Sequence, residues 1–367
     1  MQLFLKKLHL FQFKNHEETN LDFNNPVICF VGNNGIGKTN ILDAIHYLSL
    51  TKSYFNFIDG ENVKFNSQFF NIKGCFEKNN NLYEIECNYH IGKKKVIKLN
   101  NKKYLKFSEH IGAFPIIIIS PTDTNLILEN SDVRRKYLDS TIAMYNKDYL
   151  QLLIKYNKAL KQRNFLLKKY AESGMYDNIT LELYEKQLIK NGSILFTERK
   201  RFMSQFVPVF KKYYHEISNN TEDVSLEYNS QLSNSSFSEL IYNNINKDKL
   251  SKKTQFGIHK DDILFKMNNH LIKKTGSQGQ QKSFLISLKL AQFDFIKQKV
   301  NFKPILLLDD IFDKLDNDRI FKIINLVNKD MFGQVFITDT NERRSKEILD
   351  MAEISYKIFN VDNIQRK

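Results

Sequence analysis

Hydrophobic and polar positions alternate at the start of the chain and then give way to a continuous apolar run. Residues 3–13 alternate, whereas Val27–Val31 is entirely apolar. Alternation is typical of a strand with one buried face, and a short apolar run is typical of a strand buried on both faces. Residues 39–49 then carry apolar side chains at helical spacing. The chain therefore begins with two predicted strands and a helix.

The pattern changes twice in the middle of the chain. Residues 68–107 alternate around polar turns, which predicts a small antiparallel sheet. From 133 to 214 the apolar residues follow the 3.6-residue period, which predicts long helices. An Asn- and Ser-rich stretch at 218–236, with one strand at 224–228, indicates the end of this helical part.

Strands and helices alternate again after residue 254. The pattern predicts strands at 263–267, 305–308 and 334–338, and a helix at 279–299. Such alternation is typical of a sheet covered by helices. We therefore expect an α/β fold with a helical segment inserted between its two halves.

The loop between the buried strand and the first helix carries a phosphate-binding motif. Gly32-Asn33-Asn34-Gly35-Ile36-Gly37-Lys38-Thr39 matches G-x-x-x-x-G-K-[ST] in full. Its glycines allow backbone N–H groups to surround a phosphate at the N-terminus of a helix. Lys38 is expected to reach the β- and γ-phosphates, and the Thr39 hydroxyl to bind Mg²⁺. The motif predicts a site for a nucleoside triphosphate.

A second motif lies about 270 residues further on, where an apolar strand ends in two carboxylates. The strand Ile305–Leu308 is followed directly by Asp309 and Asp310. Asp309 has the position of a Walker B acid that holds Mg²⁺, and Asp310 that of a catalytic base for the attacking water. Together the two motifs predict an ATPase with ATP and Mg²⁺ as cofactors.

Two shorter segments indicate the class of ATPase. Ser277-Gln278-Gly279-Gln280-Gln281-Lys282 precedes the helix predicted at 279–299, and Phe312-Asp313-Lys314-Leu315-Asp316 follows the acidic strand. They resemble the signature and the D-loop of ABC-type ATPases, in which a signature meets the nucleotide of the opposite subunit. The resemblance implies that two copies of the chain close on ATP. It implies a nucleotide-binding role for Ser277, Gln278, Gly279, Lys282 and Asp316.

Two ABC-type classes fit the sequence poorly. A transporter ATPase would carry a switch histidine beyond the strand at 334–338, where this chain has Asp339 and Thr340. The 238 residues that separate Thr39 from Ser277 are too few for the long coiled coil of an SMC protein. The helical stretch would form a short lobe instead.

Composition and charge indicate where the protein is located and what kinds of partner it binds. The 55 basic and 41 acidic residues give a net charge of +14, which favours polyanions, although a lysine-biased composition explains it equally well. Three cysteines without a CxxC pair argue against disulfides and structural zinc. Early charges exclude a signal peptide, and no apolar run approaches the ~20 residues of a membrane span. We expect a cytoplasmic protein without a membrane partner.

Several further segments resemble the RecF family of bacterial DNA replication and repair proteins. The similar segments occur in the family's order: Leu8–Asn15, Asn40–Ile45, Ser120–Asp139, Tyr156–Asn164, Thr254–Asp262 and Gln334–Thr340. The chain departs from the family pattern at a few positions, which are Thr122, Glu129, Ser131, Ile258 and Lys260. The resemblance runs nearly from end to end.

The resemblance implies a function beyond ATP binding. It implies an ATP-dependent dimer that binds gapped, single-stranded or double-stranded DNA and junctions between them. It also implies a weak ATPase, stimulated by DNA, that helps RecO and RecR to load RecA. The alternative that stays open is another SMC-like ATPase, coupled to a nuclease or a defence system.

The implied fold is an ABC-type P-loop ATPase head with a mixed sheet, a small antiparallel sheet and an inserted α-helical lobe. We expect the N-terminal part of the ATPase lobe at 1–130 and the helical lobe at 131–250. The C-terminal part of the ATPase lobe, with the signature, the acidic strand and the D-loop, is expected at 251–367.

Other charged groups give weaker indications. Lys93–Lys95 and Lys102–Lys103 flank the predicted antiparallel sheet, where they contact a DNA backbone or form an ordinary solvated face. Arg134 and Arg135 suit an anionic ligand or a local ion pair. His259, with Asp261 and Asp262 beside it, favours a local hydrogen-bond network over a metal site.

Overall fold

The computed structural model describes residues 3–174, 177–218, 222–311, 320, 322, 332–351 and 353–364. The chain divides into two compact units. The first unit consists of Met1–Thr124, Tyr213–Asn219 and Lys282–Lys367, and the second of Asn125–Lys212 and Asn220–Gln281. The domain boundaries expected at residues 130 and 250 were placed from the sequence motifs, and they stay a prediction.

Strands and helices occur in both units. The strands are β1 (Leu3–Phe13), β2 (His16–Asp22), β3 (Val27–Val31), β4 (Phe69–Lys78), β5 (Asn81–His90), β6 (Val96–Leu99), β7 (Lys102–Lys103), β8 (Ile116–Ile119), β9 (Val224–Asn229), β10 (Asp262–Met267), β11 (His270–Leu271), β12 (Ile305–Leu308), β13 (Val335–Asp339) and β14 (Tyr356–Asn360). The helices are α1 (Lys38–Leu50), α2 (Asn125–Leu128), α3 (Ser131–Ala143), α4 (Lys147–Ser173), α5 (Asn178–Ser218), α6 (Phe237–Asn243), α7 (Ile245–Ser251), α8 (Ile272–Thr275), α9 (Gln278–Val300), α10 (Glu342–Met351) and α11 (Val361–Ile364). Short 3₁₀ turns lie at Asp59–Asn62, Phe107–Glu109, Pro121–Thr124, Gln231–Ser233 and Ile258–Lys260.

A five-stranded sheet lies in the first unit, in the order β14-β3-β13-β12-β8. All four neighbouring pairs are parallel. Strands β3, β8, β12 and β13 are buried along their whole length, as continuous apolar runs in a parallel sheet require. The strands predicted at 27–31, 305–308 and 334–338 are confirmed. Because the strands are parallel, the segments that follow them meet at one edge of the sheet.

The first unit also contains a six-stranded sheet in the order β2-β1-β4-β5-β6-β7, with antiparallel pairing. The prediction of a small sheet formed by residues 68–107 alone is therefore incomplete, because β1 and β2 belong to the same sheet. Leu10 of β1 pairs with Ile72 of β4. Alternation identifies a strand and its buried face but does not identify its partner strand.

The second unit combines helices with a small sheet of β11, β10 and β9. Helix α4 is capped at its N-terminus by Asn146, whose side chain accepts the Tyr149 N–H at 2.9 Å, and at its C-terminus by Gly174 in the left-handed conformation. Helices α3, α4 and α5 account for the helical segment predicted from 133 to 214, and that prediction is confirmed.

Three free cysteines lie in the sheets of the first unit. Cys29 on β3 and Cys87 on β5 are fully buried, whereas Cys75 on β4 is half-buried. Burial raises the pKa of the Cys29 thiol to about 12, and it raises the pKa of the Cys87 and Cys75 thiols as well. The Cys29 and Cys87 thiols are therefore neutral at physiological pH.

Candidate nucleotide-binding site

The phosphate loop and the acidic pair meet at the carboxyl edge of the parallel sheet. The loop Gly32–Thr39 follows β3, and Asp309 and Asp310 follow β12. Two segments that the sequence did not place there join them, namely Ser120 after β8 and Thr338 near the end of β13. Ligand sites of parallel sheets form at this edge.

Backbone geometry explains the glycines of the loop. Gly35 and Gly37 have φ angles of +80° and +107°, in the left-handed region that side chains disfavour. A Cβ on Gly37 would lie 2.6 Å from Asn15 Oδ1 and from His16 Nε2. The loop therefore turns through conformations that only glycine adopts without strain, and it lies against the β1–β2 connection.

Lys38 is oriented across the phosphate loop. Its Nζ donates hydrogen bonds to the carbonyl oxygens of Gly32 at 2.8 Å and Asn33 at 2.9 Å, and only 5% of the residue is exposed. The ammonium group thus lies over the first residues of the loop. Phosphate oxygens can replace the carbonyl oxygens as its partners, because an ammonium carries three donors and no fixed geometry.

Thr39 and Asp309 are in direct contact, although 270 residues separate them. The Thr39 hydroxyl donates to Asp309 Oδ1 at 2.7 Å. Asp309 also accepts from Thr338 at 3.0 Å and from Ser120 at 3.2 Å. Burial raises the pKa of the Asp309 carboxyl, and these three hydrogen bonds oppose the rise. A hydroxyl and a carboxylate side by side supply the hard oxygen ligands that Mg²⁺ takes beside nucleotide phosphates.

Asp310 has an unusual backbone conformation. Its φ angle is +46°, which is uncommon for a residue with a side chain. Its N–H donates to the Thr338 hydroxyl at 2.9 Å. Left-handed residues of this kind cluster at functional sites, where the surrounding structure holds them.

Two flanking segments hold the phosphate loop from outside. At the start of β2, His16 is fully buried; its Nε2 lies 3.1 Å from the Gly37 carbonyl oxygen and its Nδ1 lies 3.0 Å from the Thr19 hydroxyl. Burial lowers the pKa of His16, which favours the neutral ring. On α11, Asp362 accepts hydrogen bonds from the N–H and the side-chain amide of Asn33, both at 3.2 Å.

Comparison with known proteins identifies the family. The family model described as RecF/RecN/SMC N terminal domain matches residues 4–365. A protein of Flavobacterium johnsoniae named DNA replication and repair protein RecF is 49% identical over 357 residues, which cover 97% of this chain and 99% of the relative. The chain belongs to the RecF family.

Solved structures agree with that assignment. The recombination mediator protein RecF-ATP in the RecFOR pathway is 32% identical to this chain, with a TM-score of 0.86 over 93% of each chain. The Pyrococcus furiosus Smc head domain bound to ScpA is similar in fold, with a TM-score of 0.54 at 16% identity. The expected α/β fold of an ABC-type ATPase head with a helical lobe is therefore confirmed, although the expected mixed sheet is parallel throughout the described residues.

The segment Ser277–Lys282, which resembles an ABC-type signature, lies at the start of α9. The Ser277 hydroxyl accepts the Gln280 N–H at 3.2 Å, and the Gln280 side chain accepts the Ser277 N–H at 2.8 Å. This reciprocal cap fixes the N-terminus of the helix. Ser277 and Gln278 are exposed, and Gly279 and Lys282 are half-buried. Asp316 of the expected D-loop lies outside the described residues.

The charged groups that the sequence indicates in the second unit form hydrogen-bonded ion pairs. Asp261 pairs with Arg199 at 2.8 Å, and Asp262 accepts Arg134 through both oxygens, at 2.7 and 3.0 Å. His259 Nδ1 lies 2.7 Å from the Tyr156 hydroxyl. The expected local network around His259 is confirmed, and Arg134 is engaged in an ion pair.

The lysines considered for DNA contact differ in exposure. Lys95 is 9% exposed, donates to the Tyr47 hydroxyl at 2.9 Å and pairs with Asp59 at 2.9 Å, so the expectation of a surface role for it is wrong. The pattern of the turn did not reveal that its side chain points inward. Lys93, Lys94, Lys102 and Lys103 are exposed.

Among the described residues, no helix has the length and hydropathy of a membrane span.

Proposed function

We propose that this chain is an ATP-dependent DNA-binding protein that acts as a recombination mediator. The contact of Thr39 with Asp309 at the end of the phosphate loop carries the proposal, because it joins a triphosphate cradle to a cation ligand. Membership of the RecF family supports the link to DNA, and the related RecF-ATP structure supports ATP as the nucleotide.

Each part of the site has a role in this proposal. The backbone of Gly32–Thr39, including Asn33, Asn34, Gly35, Ile36 and Gly37, surrounds the phosphates, and Lys38 neutralises their charge. Thr39 and Asp309 hold Mg²⁺, which would supply charge neutralisation at the β- and γ-phosphates. Asp310 accepts the proton of the attacking water. Slow hydrolysis then acts as the release switch of a weak, DNA-stimulated ATPase.

A second copy of the chain completes the site. Ser277, Gln278, Gly279 and Lys282, with Asp316, would meet the nucleotide of the opposite subunit. The exposed serine at the N-terminus of α9 supports this role, because the positive end of a helix dipole favours an anion there. ATP binding and homodimerisation are therefore coupled.

DNA is the proposed substrate of the ATP-bound dimer. The net charge of +14 and the exposed Lys93, Lys94, Lys102 and Lys103 favour contact with a phosphate backbone. Single-stranded DNA, double-stranded DNA and their junctions are the candidate forms. RecR, RecO and RecA are the proposed protein partners in the cytoplasm, by family membership.

The alternative function is an SMC-like ATPase coupled to a nuclease or a defence system. The fold similarity to Smc heads is compatible with it. A purified chain that degrades DNA in the presence of ATP and Mg²⁺ would favour this alternative.

Retention on DNA tests the proposal. We expect wild-type protein with ATP to stay on gapped DNA. Asp310→Asn should stay longer because hydrolysis falls about 100-fold or more when a catalytic base is lost. Lys38→Arg should not be retained, because a guanidinium does not fit the place of the ammonium. Fluorescence anisotropy at several salt concentrations measures the retention.

Lys7→Arg and Asp22→Asn are the matched controls. Both side chains are about 70% exposed and lie away from the site, on β1 and β2. They should behave as wild type. Equal retention of all five proteins with and without ATP would contradict the proposed switch.

A further inference from the structure

Thr338 occupies a buried position between the two acidic residues. It lies on β13, between β3 and β12, and it is fully buried. Its neighbour Ile337 pairs with Leu308, the residue before Asp309. The parallel pairing therefore brings the Thr338 hydroxyl beside the start of the acidic segment.

This hydroxyl makes two hydrogen bonds whose directions are fixed. The Asp310 N–H can only donate, and it donates to Thr338 Oγ1 at 2.9 Å. An ionised Asp309 can only accept, and its Oδ1 accepts the Thr338 hydroxyl at 3.0 Å. One side chain thus links the carboxylate of the first acid to the backbone of the second.

The backbone conformation of Asp310 indicates what this link does. A left-handed conformation is unfavourable for a residue with a side chain, so local contacts must hold it. The hydrogen bond to Thr338 fixes the orientation of the peptide that enters Asp310. The same hydroxyl restrains Asp309, to which Thr39 also donates at 2.7 Å.

The next residue on the strand, Asp339, contacts the helix that follows it. Asp339 is 1% exposed and is engaged with Arg344 and Ser345 of α10. In transporter-type ATPases a switch histidine is expected just beyond this strand, and this chain has Asp339 and Thr340 there. Thr338 contacts the acidic pair through its side chain.

We propose that Thr338 is a positioning residue for hydrolysis, which sets Asp309 and Asp310 relative to each other without contacting the nucleotide. The inference rests on the proposed ATPase function. Because the phosphate loop binds the triphosphate through other residues, Thr338 affects turnover and the contribution of Mg²⁺ rather than ATP binding itself.

Two variants, Thr338→Val and Thr338→Ser, distinguish the effect of the side chain's shape from that of its hydrogen bonds. Valine keeps the volume and removes both hydrogen bonds, whereas serine keeps the hydroxyl. We expect kcat to fall about 10- to 30-fold in the valine variant with KM for ATP within about twofold, as loss of a hydrogen bond to a charged group predicts. The serine variant should recover most of the rate.

Binding of a fluorescent ATP analogue gives a readout apart from turnover. In EDTA the valine variant should bind the analogue as wild type does. With Mg²⁺ its gain in affinity should be smaller than that of wild type by no more than about twofold, in keeping with the small change in KM. Thr338→Ala, which also removes the hydroxyl, replaces the valine variant if that variant does not fold, as judged from its melting curve.

Thr141→Val is the matched control. Thr141 is also fully buried, and its hydroxyl donates within α3 to the Tyr137 carbonyl at 2.7 Å. The Thr141→Val variant should be less stable than wild type but should hydrolyse ATP at the wild-type rate. If Thr338→Val turns over like Thr141→Val, the positioning role is wrong. If wild type neither binds nor hydrolyses ATP, the proposed function itself fails.

Discussion

At the scale of single residues, His259 shows how burial links stability to pH. Its Nε2 lies 3.0 Å from the Thr254 carbonyl oxygen, which requires a donor, and its Nδ1 then accepts from the Tyr156 hydroxyl. Burial lowers the pKa of His259 to about 4, so the folded protein holds the neutral ring. The unfolded chain binds a proton near pH 6.5.

His259→Gln should therefore reduce the acid sensitivity of the protein. In wild type, this histidine's contribution to stability is complete above pH 6.5 and is lost as the pH falls towards about 4. The slope approaches about 1.4 kcal/mol per pH unit. We expect the variant to be less stable at pH 7 and the difference to shrink at pH 5, as measured by urea unfolding.

His270→Gln is the control, because His270 is exposed on β11. It should follow the wild-type curve at both pH values. A constant difference between His259→Gln and wild type from pH 7 to pH 5 would contradict the assigned neutral state.

The residues of the candidate site differ in how far the sequence reveals them. Lys38, Thr39 and Asp309 lie in local motifs whose residue types and spacing carry the chemistry. Asp362 contacts Asn33 across 329 positions, and only the parallel pairing of β14 with β3 brings them together. Thr338 lies in an apolar strand, where a threonine carries no signal of function.

At the scale of elements, a buried arginine joins helices of the second unit. Arg163 of α4 is fully buried, pairs with Glu185 of α5 at 2.8 Å and pairs with Asp248 of α7 at 2.6 Å. It also donates to the Thr254 hydroxyl at 2.8 Å. Its guanidinium has fixed donor directions, so these contacts define how the three helices meet.

Arg163→Met should destabilise the protein strongly. Removing one partner leaves buried carboxylates without their counter-charge, which costs about 3–5 kcal/mol. The melting temperature measured by circular dichroism should fall by several degrees. Arg201→Met is the control, because that side chain is 64% exposed and its contact with Glu198 contributes little. Equal melting temperatures for the two variants would contradict a structural role for Arg163.

Periodicity predicted these helices but not their ion pairs. The 3.6-residue period of α4 marks its buried face, and Arg163 lies on that face as an exception to the apolar pattern. Its partners come from α5 and α7, whose order in space the period does not encode. The same limit explains why β1 and β2 were not assigned to the six-stranded sheet.

At the scale of the whole molecule, a substitution in the signature segment tests whether two copies of the chain form a dimer with ATP. Ser277 is exposed at the start of α9, where the proposal places the partner's nucleotide. Ser277→Arg should leave ATP affinity within about twofold, because the chain's own phosphate loop is unchanged. It should block the ATP-induced dimer through bulk and charge, and sedimentation velocity with ATP measures this.

His270→Arg adds the same charge to an exposed position in the same unit. It should dimerise as wild type does. Dimers of undiminished amount in Ser277→Arg would contradict a site shared between two copies.

The half-buried Cys75 gives the molecule a natural attachment point for a probe. Alkylation requires an accessible thiolate, and Cys29 and Cys87 are fully buried with raised pKa values. Cys75 lies on β4, paired with Glu84 of β5; burial raises its pKa as well, but its side chain is only half-buried. A maleimide dye at mildly alkaline pH should therefore attach at Cys75 first. The native protein can thus carry one fluorophore on its six-stranded sheet, so ATP-driven association can be followed by energy transfer between labelled copies without altering a residue.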